Sequence, residues 1–156
     1  MKYLIRDFGT LFTLSICFAT HAQRPSEVVK WSAELTGIKP NAPSAKLSAT
    51  IVDGWHVYAL SQPDGGPTPL KISIPSGSPL VLAGPVAETK VVRHFDPSSN
   101  METLYYLKTA NFILALKEGD EVPGETLSID VRFQACNDRL CLPPYTAHVS
   151  AALARR

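Results

Sequence analysis

Charge of one sign is what this chain most plainly lacks: 15 Lys and Arg stand against 14 Asp and Glu in 156 residues, a formal net charge of +1. That balance gives nothing to draw a phosphate backbone or an anionic membrane surface, so nucleic acid and lipid surfaces are excluded as leading partners. The chain also has no phosphate-cradling glycine loop, no nucleophile elbow and no carboxylate pair at a telling spacing. Their absence removes the common hydrolytic and group-transfer classes. No apolar run reaches the roughly 20 residues that a bilayer-spanning helix needs. Cysteine is scarce, with three in the chain, and there is no internal repeat or low-complexity tail.

The longest apolar run lies at the start. Lys2 and Arg6 precede "FGTLFTLSICFA", which ends at "THA" with small residues at Thr20 and Ala22. This pattern reads as a secretory signal cleaved after Ala22, leaving residues 23–156 as one domain. Cleavage removes Cys17 and leaves an even pair, Cys136 and Cys141, in an oxidising compartment. It also takes away Lys2, Arg6 and Asp7, so 15 basic and 14 acidic residues become 13 of each.

Along the rest of the chain, apolar residues alternate with polar ones instead of recurring at helical spacing. Trp31, Ala33 and Leu35 share one parity, as do Leu47, Ala49 and Ile51, then Trp55, Val57 and Ala59. Leu127, Ile129, Val131 and Phe133 repeat the pattern, and Val149, Ala151 and Leu153 close it. Each set lines one face of a half-buried strand. The 13 prolines, all after residue 24, cut the chain into short segments and leave no window for a long helix. Seven to nine short strands are expected, folded as an all-β, immunoglobulin-like antiparallel sandwich. The cysteine, tryptophan, cysteine spacing of antibody domains is absent.

The cysteine pair sits in "RFQACNDRLCLPPY", residues 132–145. A strand runs into Cys136, Asn137 and Asp138 favour a turn, and "YTAHVSAAL" reads as the returning strand. Cys136 and Cys141 then face each other across a hairpin tip. Facing strand residues have Cβ atoms about 4.5–5.5 Å apart, wider than the ~3.8 Å of a relaxed disulfide, so a bond there is expected to carry some strain. A closed loop of six residues adds only about 2 kcal/mol of constraint, against roughly 4.7 for a loop of a hundred. A weakly stabilising bond favours exchange chemistry over a staple. Pro143 and Pro144 lack N–H groups and mark an edge where the sulfurs are reachable.

Three readings stay open on these residues: a redox dithiol, a structural disulfide in a binding or assembly module, and a copper or zinc site. The last would use Cys136 and Cys141 with His56, His94, His148 or Met101. No second close pair of cysteines or histidines supports the metal reading.

"FQACNDRLCLPP", with "DGWHVYALSQP" upstream and "HFDPSSNMETLYY" between them, resembles the amino-terminal periplasmic domain of the thiol:disulfide interchange protein DsbD. The resemblance covers essentially the whole chain after the signal, and the cysteines with the following prolines are its specific part. It implies an immunoglobulin-like sandwich without a cofactor, located in the periplasm and acting as a monomeric protein-disulfide reductase component. By resemblance, Cys136 and Cys141 form the redox pair, with Cys141 the one that engages a partner. The partners implied are a thioredoxin-like electron donor domain and oxidised periplasmic thioredoxin-fold proteins, in a family tied to cytochrome c biogenesis. Tyr58 becomes an aromatic neighbour of the site, and Phe95, in a loop of residues 93–103, the candidate cap over the disulfide. His56 departs from the pattern, standing where other members carry a second tyrosine. The sequence ends at "AALARR", where the family protein continues into membrane spans and a thioredoxin-like domain, so the expectation is either a free periplasmic shuttle supplied by a separate protein, or a fragment or duplicate with another task. For Trp55 and Met101, core packing is the expected role.

Overall fold

Alternation along the sequence becomes alternation of buried and exposed side chains in the computed structural model, which describes residues 23–39, 42–97, 99–119 and 126–152. The expected signal peptide, Ser98 and Leu153 lie outside the described residues. One helical turn, α1 (Pro25–Val28), opens the domain. Pro25 suits its first position, and the Arg24 N–H donates to the Glu27 carboxylate at 3.0 Å.

Twelve strands follow among the described residues: β1 (Val29–Lys39), β2 (Ala42–Ile51), β3 (His56–Tyr58), β4 (Lys71–Ser73), β5 (Leu80–Leu82) and β6 (Ala87–Glu88), then β7 (Val92–Asp96), β8 (Met101–Leu107), β9 (Thr109–Glu118), β10 (Thr126–Phe133), β11 (Ala135–Cys136) and β12 (Tyr145–Ala152). The count exceeds the expected seven to nine because β3, β4, β5, β6 and β11 are only two or three residues long. Such fragments carry too little alternation to be read in advance. The stretch "ALSQPDGGPTPL" between β3 and β4 shows why they are short, since its three prolines cannot donate to a ladder.

All pairings are antiparallel. One sheet runs β1-β2-β9-β5 with β6 also on β9, a second β12-β10-β4, and a third β11-β3-β8-β7. They enclose a single core in which Leu47, Phe112, Val131, Phe133, Val57 and Tyr106 meet. Trp31 of β1 bridges two of the sheets, with ring centroids 6.0 Å from Phe112 and 5.6 Å from Phe133. Trp55, expected in a strand, instead precedes β3 in a turn closed by its N–H on the Val52 carbonyl at 3.1 Å, yet it is buried in the core as expected.

Candidate redox site

Strand β10 ends at buried Phe133, and the chain enters β11, which carries Cys136. Asn137 then builds the turn: its Oδ1 accepts the N–H groups of Arg139 and Leu140, each at 2.9 Å, while its own N–H donates to the Leu140 carbonyl at 2.9 Å. This is the self-capping that makes Asn a turn former. It returns the chain so that Cys136 and Cys141 pair across the tip, with Cα atoms 4.0 Å apart and their sulfurs joined in a disulfide.

The hairpin then slips. Leu142 N–H donates to the Ala135 carbonyl at 2.9 Å, and the regular ladder resumes only where Phe133 faces Tyr145. Gln134 on one side is matched by Pro143 and Pro144 on the other, both exposed and without donors. The returning strand β12 is an edge strand, as the prolines implied.

The two cysteines differ in exposure. Cys136 is 1% exposed, whereas Cys141 lies at the surface. Of the two, Cys141 is therefore the residue open to a thiolate approaching from solvent.

Pairing fixes what surrounds them. Cys136 stands opposite His56, His56 opposite Leu107, Tyr58 opposite Tyr105, and Tyr105 opposite Val92. Successive strand residues point to opposite faces. Val57, Ala135 and Tyr106 therefore face the core, while Cys136, His56, Tyr58, Thr103, Tyr105, His94 and Asp96 share the other side. There the Tyr58 hydroxyl donates to Asp96 Oδ2 at 2.6 Å, and Ser99 Oγ joins the same oxygen at 3.1 Å. Burial, and then the hydrogen bond and charge of Asp96, push the Tyr58 phenol up, so it stays a neutral donor. The His56 ring packs edge-on to Tyr58 at 5.3 Å and against Tyr105 at 4.6 Å. Burial lowers the His56 pKa below its ordinary value; Asp96 and Asp138 oppose this and His94 reinforces it. Burial raises the pKa of Tyr105, helped by Asp138 and Asp96.

Of the residues singled out in the sequence, the fold brings Cys136, Cys141, His56 and Tyr58 to one region, with His94 on the same face. Phe95 pairs with Glu102, one residue out of phase with His94 and Asp96, so register turns it to the other face, and it is 51% exposed. His148 is elsewhere, on β12, with Nδ1 2.7 Å from Asp130. Among the described residues, no three His, Cys, Asp or Glu side chains gather as a metal site. Asp96 and Tyr105 were not singled out, and no local motif marks either.

A family model described as "Thiol:disulfide interchange protein DsbD, N-terminal" matches residues 22–153. The chain belongs to the DsbD N-terminal family. The reduced DsbD N-terminal domain of Neisseria meningitidis is similar in structure, with a TM-score of 0.55 at 15% identity over 83% of this chain and 89% of that one. The N-terminal periplasmic domain of ScsB from Proteus mirabilis gives 0.56 at 16% identity, covering 81% of this chain and 48% of that one. No curated protein sequence matches the chain. The antiparallel sheets are thus the immunoglobulin-like fold of the DsbD N-terminal domain. Among the described residues no helix is long and apolar enough to cross a membrane.

Proposed function

We propose that this chain is a periplasmic thiol–disulfide exchange module that takes two electrons from a thioredoxin-like dithiol and passes them to oxidised periplasmic proteins through Cys136 and Cys141. The observation that supports this most is the asymmetry of the pair, an exposed cysteine at the hairpin tip bonded to a buried one. Family membership supports the same chemistry.

In the loading half, a donor thiolate attacks Cys141 Sγ. A new intermolecular S–S bond forms, the Cys136–Cys141 bond breaks, and the electron pair leaves on Cys136. The donor's second thiolate then attacks its own bridged sulfur, which frees Cys141 and oxidises the donor. Delivery is the reverse with an oxidised acceptor: Cys141 attacks its disulfide, and Cys136 attacks Cys141 Sγ to release the acceptor as a dithiol. Tyr58 and the other aromatics around Cys136 restrict access to the buried sulfur, which favours exchange through Cys141.

Equilibration of the mature chain in dithiol buffers of graded potential tests the proposal. Reduction at potentials within reach of thioredoxin-fold donors is expected. A bond that resists reduction until well below about −300 mV, where inert structural disulfides lie, overturns it.

A further inference from the structure

On the face that carries Cys136, two buried side-chain atoms, Thr103 Oγ1 and His56 Nε2, lack a hydrogen bond among the described residues, and the second belongs to the residue paired with Cys136. Buried polar atoms are nearly always paired, and those left over cluster where chemistry happens. The neighbours do not satisfy the His56 nitrogen. Tyr58, on the same strand, gives its hydroxyl to Asp96. Tyr105 of β8 meets the ring at 4.6 Å as an aromatic contact, and Leu107, across from His56, is apolar. The charges that face the imidazole are Asp96 and His94 from β7 and Asp138 from the turn after β11. Burial outweighs the two carboxylates and holds the ring neutral at pH 7, and a neutral imidazole offers one nitrogen as an acceptor.

Directly across the strand pair stands Cys136, which in the oxidised protein has no proton to offer. Reduction supplies one. We propose that His56 is the proton partner of Cys136: in the reduced protein Nε2 accepts a hydrogen bond from the Cys136 Sγ–H, and it takes that proton as Cys136 attacks. The inference rests on the exchange reading above and adds the group that makes the buried thiol a nucleophile.

The step balances as follows for a small aromatic disulfide, RSSR, as oxidant. Reduced Cys141, as thiolate, attacks one sulfur, forms a mixed disulfide and releases the first RS⁻. The Cys136 proton moves to Nε2, and the sulfur's electron pair attacks Cys141 Sγ. The Cys136–Cys141 bond forms, the Cys141–SR bond breaks, and the second RS⁻ departs with the electron pair. His56 then returns its proton to solvent. The dithiol has lost two electrons and RSSR has gained them.

Two measurements on the mature chain test this. An NMR titration of the His56 ring is made in the oxidised protein and after phosphine reduction. A thiol donating to Nε2 stabilises the neutral ring, so the midpoint is expected to fall on reduction, by about one unit. Stopped-flow release of the second RS⁻ from Ellman's reagent is followed against pH. The parent profile is expected to inflect at the His56 midpoint of the reduced protein. H56F and H56Q lose that inflection, and H56F slows the second release by about 100-fold. An unchanged or rising midpoint on reduction, or an inflection that survives in H56F, overturns the inference; the NMR comparison decides even where a variant folds poorly. Failure of the parent to be reduced, or to release a second RS⁻ at any pH, sinks the exchange reading itself, a distinct result that does not depend on His56.

Discussion

Replacing Tyr58 by phenylalanine deletes one oxygen from the face that carries Cys136 and leaves a ring of nearly the same volume in a fully buried position. No cavity of consequence opens, so the effect isolates the hydrogen bond to Asp96, made at 2.6 Å. Hydrogen bonds to charged groups contribute about 1.5–3 kcal/mol, more than neutral ones, because the partner left behind is a desolvated charge. Asp96 is 7% exposed and keeps Ser99 Oγ at 3.1 Å, which offsets part of the loss. We therefore expect Tyr58→Phe to cost about 2 kcal/mol. Urea unfolding of the oxidised protein at neutral pH measures this, and a slope of ~1–3 kcal/mol/M turns it into a midpoint shift of about 1 M with the slope unchanged. A double-mutant cycle with Asp96→Asn removes ambiguity, since the two residues share a bond and should couple by more than ~0.5 kcal/mol. A loss and a coupling both below that value would mean that the Tyr58–Asp96 bond contributes nothing to stability in solution.

Cys136→Ser and Cys141→Ser are each expected to remain folded with a loss near 2 kcal/mol, the constraint of a six-residue loop; unfolding of both where the parent is folded counts against this. Cys136→Ser, which keeps the accessible sulfur, should accumulate a mixed disulfide with a thioredoxin-fold partner, and trapping only in Cys141→Ser would reverse the assignment. Folding stability should fall as pH drops below the ordinary histidine value of 6.5, because the unfolded chain takes up a proton there while folded His56 resists until lower pH. The loss levels off below the folded pKa, and His56→Gln should flatten that window; an identical pH profile in the variant refutes the cause. Phe95→Ala is expected to change stability by no more than about 0.5 kcal/mol, as for an exposed side chain, and to leave alkylation of the reduced pair unaltered. Faster alkylation would restore Phe95 as a cover despite its register.

The large strands were readable because their signal is local. Leu127, Ile129, Val131 and Phe133 alternate with polar neighbours, and all four are buried in β10. The cysteine tip was readable for the same reason, since Asn137, Asp138 and the two prolines act within a few residues of the sulfurs. What could not be read is non-local register. Tyr58 and Asp96 are 38 residues apart, and nothing near either names the other. Phe95 shows how unforgiving register is: with a period of two, a one-residue step moves a side chain to the opposite face. Its place follows from the turn after β7, where Asn100 at φ 53° helps align Asp96 with Met101. His56 was visible as a departure from the family pattern, but its position opposite Cys136 needed β11, a strand of two residues.

The turn at the tip is held by Asn137 and the Leu140 carbonyl, and none of those bonds involves sulfur. Breaking the disulfide is therefore expected to leave the backbone around it closed, so that the oxidised and reduced forms present nearly the same contour. A module that exchanges disulfides as proposed would then have no shape change with which to expel a spent partner or invite a fresh one. On the exchange function proposed above, its direction of flow would be set outside it, by the potentials and abundances of the proteins on either side, as in a wire and not a pump.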